Sequence, residues 1–133
     1  MGEPKLAIKY HNPKSVSLSG KYSLGAEVPA NARYLYVSGQ VGVDSRGKLQ
    51  QGFDKQAVQV WKNIGQVLKA GGMGYKDIVK ITTFLTDSRF VVPNRAARDQ
   101  FISEPYPAST LLVVAGLADP AMLVEIEVIA AKA

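Results

Sequence analysis

Between Phe53 and Ala70 apolar residues fall at Ala57, Val60, Trp61, Ile64, Val67 and Leu68, with Lys55, Gln59, Lys62, Asn63, Gln66 and Lys69 between them. This is the 3.6-residue period of an amphipathic helix of about five turns. Gly71-Gly72 follows at once and predicts a glycine cap at its C-terminus. On such a helix Trp61 reads as an anchor onto a sheet rather than as a cofactor ligand. A second helix is predicted over residues 93–101, where Pro93 suits a first turn. Ala96, Ala97 and Phe101 are placed to pack there, while Arg95, Arg98 and Asp99 stay wet.

The other hydrophobic runs are short and rich in β-branched or aromatic residues, the pattern of strands. They cover residues 5–10, 21–28 (around Tyr22 and Leu24), 33–38, 78–86, 107–114 and 123–130. The first three, joined by turn-rich segments such as Asn12-Pro13-Lys14-Ser15, predict an antiparallel meander. Strands interrupted by two helices predict an α+β domain of two layers, its helices covering one face of a largely antiparallel sheet.

In the last strand Val124, Ile126 and Val128 share one face, and Leu123, Glu125, Glu127 and Ile129 the other. The acids therefore stand among hydrophobes. Such a carboxylate is either solvated on an open sheet or held in a partly dry crevice, where the loss of water suits it to proton transfer. The preceding strand poses a different problem, since Leu111, Leu112, Val113 and Val114 are consecutive and ask for burial on both faces. Two helices cover only one. Another copy of the chain is the economical cover for the face carrying Tyr34, Tyr36 and Leu111 or its neighbours.

Composition narrows the chemistry. A chain of 133 residues, 47% hydrophobic, predicts one domain over residues 1–133. The absence of cysteine removes disulfides, thiolate nucleophiles and cysteine-bound metals, and the single histidine, His11, argues against a catalytic triad or a histidine-rich metal site. With no apolar run near the roughly 20 residues of a membrane span and no signal-like N-terminus, a cytoplasmic protein without a membrane partner is expected. The formal charge of +5 is scattered, with no basic cluster interleaved with aromatics, so it reads as solubility rather than nucleic-acid binding.

A set of segments then carries a resemblance. Tyr22-Ser23-Leu24-Gly25, Tyr36-Val37-Ser38-Gly39-Gln40-Val41, Leu68-Lys69-Ala70-Gly71-Gly72, Asp77 to Leu85, Tyr106-Pro107-Ala108-Ser109-Thr110 and Val124 to Ala130 occur in this order. The chain resembles the Rid/YjgF family (RidA-like, formerly endoribonuclease L-PSP) from about Tyr22 to Ala131. The resemblance implies a chorismate-mutase-like α+β fold and a homotrimer with small-molecule crevices between subunits. It also implies hydrolysis of reactive enamines or imines to keto compounds and ammonia, with no metal or organic cofactor.

Carried over residue by residue, the resemblance makes Glu125 the carboxylate that positions or activates water. Tyr22 lines the pocket, Ser38 and Gly39 form a small polar turn in its wall, and Asn94 stands at the start of the second helix. Deaminase members carry an arginine directly after the Pro-Ala pair, where it grips the substrate carboxylate in a bidentate manner. Here that position is Ser109, and the position two residues on, often cysteine, is Leu111. Losing such a paired contact costs about 2 to 5 kcal/mol of transition-state binding.

Two readings follow. Either Glu125 and water still hydrolyse an imine or enamine, with an uncharged substrate or with its carboxylate held by Arg89, Arg95 or Arg98, or the trimer binds a small carbonyl, imine or carboxylate metabolite without turning it over. Ribonuclease activity, attached to the family by name, finds neither a histidine pair nor an acidic metal cluster in this sequence.

Overall fold

The computed structural model describes residues 7–133. Its elements are β1 (Lys9–His11), β2 (Gly25–Glu27), β3 (Arg33–Val41), α1 (Phe53–Ala70), β4 (Ile78–Leu85), α2 (Val91–Asp99), β5 (Ala108–Val113) and β6 (Val124–Lys132). Short helical turns at Tyr75–Asp77 and Ser88–Phe90 lead into β4 and α2. The main sheet runs β3-β6-β4-β5, with antiparallel pairs except for β4 beside β5. The α+β architecture is the one the hydrophobic pattern predicts.

Helix α1 has the bounds its period gave. Its buried stripe of Ala57, Val60, Trp61, Ile64 and Leu68 packs against Val37 of β3 and Ile126 and Val128 of β6. Each fully buried large side chain here contributes about 1.5–3 kcal/mol. The helix ends as the glycine pair predicts. Gly72 takes the left-handed φ of 72°, its N–H donates to the Lys69 carbonyl at 3.0 Å, and the Met73 N–H donates to the Leu68 carbonyl at 2.9 Å. This is a Schellman cap whose hydrophobic contact joins Met73 to Leu68. The Arg33 guanidinium donates to the Gly71 carbonyl at 2.8 Å and closes the helix end. Gly65, a costly residue in mid-helix, leaves room for Tyr75, where a Cβ would lie 2.8 Å from the tyrosine Cζ. Tyr75 in turn donates its hydroxyl to the Trp61 carbonyl at 2.7 Å.

One buried polar residue holds the sheet to the helix layer. The Gln56 amide donates to the carbonyls of Gln50 and Ala121 at 3.2 and 3.0 Å and accepts from the Leu123 N–H at 2.9 Å. That last bond sets where β6 begins. It therefore sets the position of Glu125.

Four expectations are corrected. Of the first predicted strand, Lys5 and Leu6 lie outside the described residues, and pairing begins at Lys9. The meander forms only in part: β1 and β2 make a separate two-stranded sheet, and β3 pairs with β6. The segment predicted as a strand over residues 21–28 is a strand only at Gly25–Glu27, while Ser23 makes a single bridge to Ala108. Helix α2 starts two residues early, at Val91, and leaves Ala96 exposed while burying Asn94 and Ala97. In the chain by itself Leu111, Leu112 and Val113 are 37%, 45% and 51% exposed, because β5 is the edge strand. Tyr34 and Tyr36 are exposed as well, stacked on one another.

Candidate functional site

The residues singled out in the sequence fall into two groups, divided by the sheet. Strand register decides the division. Ile81 stands beside Ser109 and Thr83 beside Leu111, and Ile81 and Thr83 are buried on the face that the helices cover. Phe84 stands beside Glu125 on one side and Leu112 on the other. Alternation along each strand therefore puts Ser109 and Leu111 on the helix side and Glu125 on the opposite, outer face.

On the helix side, Tyr22, Asn94, Ser109 and Leu111 meet in one crevice of about 410 Å³. Such a volume lies within the usual range for small-ligand sites. Tyr22 reaches it because the Ser23 N–H donates to the Pro107 carbonyl at 3.0 Å and the Leu24 N–H to Asn12 Oδ1 at 2.7 Å. These bonds lay the loop alongside the start of β5. Tyr22 and Gly20 also border a neighbouring crevice walled by Tyr10 and Tyr106.

Helix α2 supplies the opposite wall. Asn94, Arg95, Arg98 and Asp99 all line the crevice, as their i, i+1, i+4, i+5 spacing allows on one helical face. Asp99 accepts hydrogen bonds from Lys21 Nζ at 3.2 Å and from Arg98 Nη2 at 3.2 Å. Burial opposes ionisation of Asp99, but those two hydrogen bonds and the charges behind them prevail and hold its carboxyl below the ordinary range.

Sequence reasoning missed Lys21, Thr83 and the indole of Trp61 as parts of this wall. Trp61 anchors α1 as expected, fully buried and stacked on Phe101 at 6.2 Å between ring centroids. Its Nε1 nevertheless has no hydrogen-bond partner, and neither has Oδ1 of Asn94, which is 3% exposed. The helical period reported only that Trp61 faces inward. No sequence signal reports that Trp61 shares a crevice wall with Asn94 while its N–H is left without a partner.

The outer face holds Glu125, Ser38 and Gly39. The ladder between β3 and β6 passes from Val37 opposite Val128 to Gln40 opposite Ile126, so Ser38 and Gly39 together oppose Glu127. This is a β-bulge, a device that re-aims side chains beside functional sites. Gly39 lies against the Glu125 side chain, where an added Cβ would touch Oε2 and stand 2.9 Å from Cδ. A side chain at Gly39 would displace the carboxylate. Beside the bulge, Ser38, Tyr36, Lys80, Thr82 and Glu127 line a shallower crevice of about 310 Å³, in which Lys80 Nζ donates to Thr110 Oγ1 at 2.7 Å.

Of the cations considered as partners for an acidic substrate, Arg89 is not in the helix-side crevice. It pairs with Asp87 at 3.0 Å, whose carboxyl is held below the usual range by the side-chain and backbone hydrogen bonds from Arg89. Arg95 and Arg98 are in the crevice. Among the described residues no cluster of three or more His, Cys, Asp or Glu is arranged to hold a metal ion, and no helix is long and apolar enough to cross a membrane.

Comparison with known proteins gives a consistent result. The family model described as Endoribonuclease L-PSP matches residues 14–132. A RutC family protein of Aquifex aeolicus is 36% identical over 123 residues, covering 90% of this chain and 95% of that protein. The 2-iminobutanoate/2-iminopropanoate deaminase of Homo sapiens is 34% identical over 119 residues, covering 88% of this chain and 84% of the human protein. Among solved structures, YyfB of Yersinia pestis, a Rid family protein of unknown function, superposes with a TM-score of 0.85 at 27% identity, covering 96% of this chain and all of that one.

Proposed function

From the premise that this chain belongs to the endoribonuclease L-PSP family, the Rid family of the sequence argument, we propose that it hydrolyses small imines or enamines in crevices completed between copies of itself. The observation that carries this reading is the division of the site by the sheet. One copy supplies the crevice of Tyr22, Asn94, Ser109 and Leu111, and a neighbouring copy supplies Glu125 with its bulge at Ser38 and Gly39. A homotrimer is the assembly this reading calls for. The exposed Tyr36 and Leu112, which lie on the Glu125 face, are the apolar surface it would bury.

In the reaction, Glu125 takes a proton from water as the water oxygen adds to the carbon of the protonated imine, giving a neutral carbinolamine. The protonated carboxyl then returns that proton to the carbinolamine nitrogen, the C–N bond breaks with its electron pair going to nitrogen, and the regenerated carboxylate takes the hydroxyl proton as the carbonyl forms, passing it on to the departing ammonia. Ammonium and a keto compound result. General acid–base assistance of this kind contributes about 10²–10⁴-fold. The chemistry needs no cofactor, and its proposed setting is cytoplasmic.

One observation favours a second reading, a metabolite-binding trimer without turnover. Ser109 places a neutral hydroxyl in the crevice wall, where the deaminase pattern has a guanidinium. Ammonia and keto-acid release from freshly generated 2-iminopropanoate separates the two. Turnover by the wild type that is lost in Glu125→Ala supports hydrolysis. A silent wild type that gains activity as Ser109→Arg supports binding alone.

A further inference from the structure

The crevice between α2 and β5 carries three cationic side chains, Lys21, Arg95 and Arg98, against one carboxylate, Asp99. Asp99 is engaged by both Lys21 and Arg98, whereas Arg95 forms no ion pair among the described residues and stands exposed at the rim. The same walls contain a buried acceptor and a buried donor without partners, Asn94 Oδ1 and Trp61 Nε1. Buried polar groups are nearly always satisfied by protein, water or ligand. Reversing the Asn94 amide would exchange an acceptor for a donor and still leave a polar atom there.

We infer that Arg95 is the residue that selects anionic ligands in this crevice, its guanidinium gripping a carboxylate at the rim while a polar group of the same small molecule is directed toward Asn94 and Trp61. The planar fork of arginine suits a carboxylate better than a point charge does. Arg98 is less suited, since its side chain is 14% exposed and already bound to Asp99. The assignment deepens the functional reading, because it rests on the helix-side crevice being the ligand-binding half of the site. It moves recognition of the anion from strand β5, where Ser109 is neutral, to helix α2.

The chain has one tryptophan, and it lies in the crevice wall, so its fluorescence reports occupancy of this site. The test is titration of wild type, Arg95→Gln, Arg95→Lys and Arg89→Gln with 2-oxobutanoate and with its uncharged methyl ester. Loss of a charge-assisted contact predicts that Arg95→Gln weakens binding of the acid about tenfold to a hundredfold. The ester is expected to bind both proteins alike, Arg95→Lys to recover part of the affinity, and Arg89→Gln to match the wild type.

Equal binding of the acid by wild type and Arg95→Gln overturns the assignment, as does a wild type that binds no acid. Kinetics keep this separate from the fate of the hydrolase reading. Binding through Arg95 without imine turnover would sink hydrolysis and leave the anion site standing. Turnover of an imino acid whose KM does not change in Arg95→Gln would do the reverse.

Discussion

Substituting alanine at Gly39 isolates the position of one carboxylate. Gly39 is outside the left-handed region, where among the described residues only Gly47, Gly52 and Gly72 are found, so alanine meets no backbone strain there. The new methyl would instead touch Glu125 Oε2 and stand 2.9 Å from Cδ and 3.1 Å from Cγ. Carbon atoms prefer to be about 3.5–4.0 Å apart, so the carboxylate must retreat by more than about half an ångström. Forcing the side chain off its rotamer costs about 0.5–1.5 kcal/mol, and restricting the unfolded chain returns about 0.4–1 kcal/mol. Gly39→Ala is therefore expected to unfold within a few degrees of the wild type.

Its effect on hydrolysis is expected to be much larger. A displacement of about 1 Å at a reacting group costs on the order of a hundredfold. The assay is keto-acid release from an imine generated in situ, beside a thermal melt of each protein, with Glu125→Gln as the reference for complete loss of the acid–base group. Two results would refute the reasoning. Full activity in Gly39→Ala would show that the reaction does not depend on where the Glu125 carboxylate stands, and a drop of many degrees in the melt would show that the methyl strains the sheet rather than the side chain.

The remaining predictions concern the assembly, the scaffold and pH. Leu112→Asp puts a charge into the apolar patch beside Phe84, on the Glu125 face, and light scattering behind size exclusion is expected to show a monomer where the wild type shows the proposed trimer; equal masses for the two would place the contact elsewhere. Gly42→Ala drives a Cβ to 2.6 Å from Gln56 Cα, a backbone atom that cannot swing away, and denaturant unfolding is expected to show a loss of about 1–3 kcal/mol. Asp99→Asn removes a carboxylate whose pKa is lowered in the folded protein, so the stability Asp99 supplies is present above its unfolded pKa and fades as pH falls through the folded one. Wild type should accordingly be the more stable at neutral pH and lose that advantage in acid; a difference unchanged down to pH 2 would contradict the pairing with Lys21 and Arg98.

How much of this could be read from the chain varies with the element. Helix α1 was legible to the residue, because five turns of amphipathic period and a Gly-Gly stop leave no competing structure, and the cap at Gly72 has the predicted geometry. The bounds of β1 and β2 were not, since three residues each are too few to show alternation, although their antiparallel pairing is the part of the predicted meander that forms. The run from Leu111 to Val113 asked for burial on both faces, and in the chain alone it lies on an exposed edge. Local pattern records that a residue avoids water. It does not record which surface will cover it.

The candidate site divides in the same way. Sequence by itself determined the residue types, the period that sets Glu125 apart from Val124 and Ile126, the neutral Ser109 directly after the Pro-Ala pair, and the family to which these belong. Tertiary structure alone decided that Glu125 and Ser109 stand on opposite faces of one sheet, that Arg95 rather than Arg89 borders the crevice, and that Trp61 and Asn94 leave polar atoms unpaired there. The reason is that a strand's own alternation fixes its faces only relative to itself. Their orientation with respect to neighbouring strands and helices follows from hydrogen-bond register and packing between segments far apart in the chain.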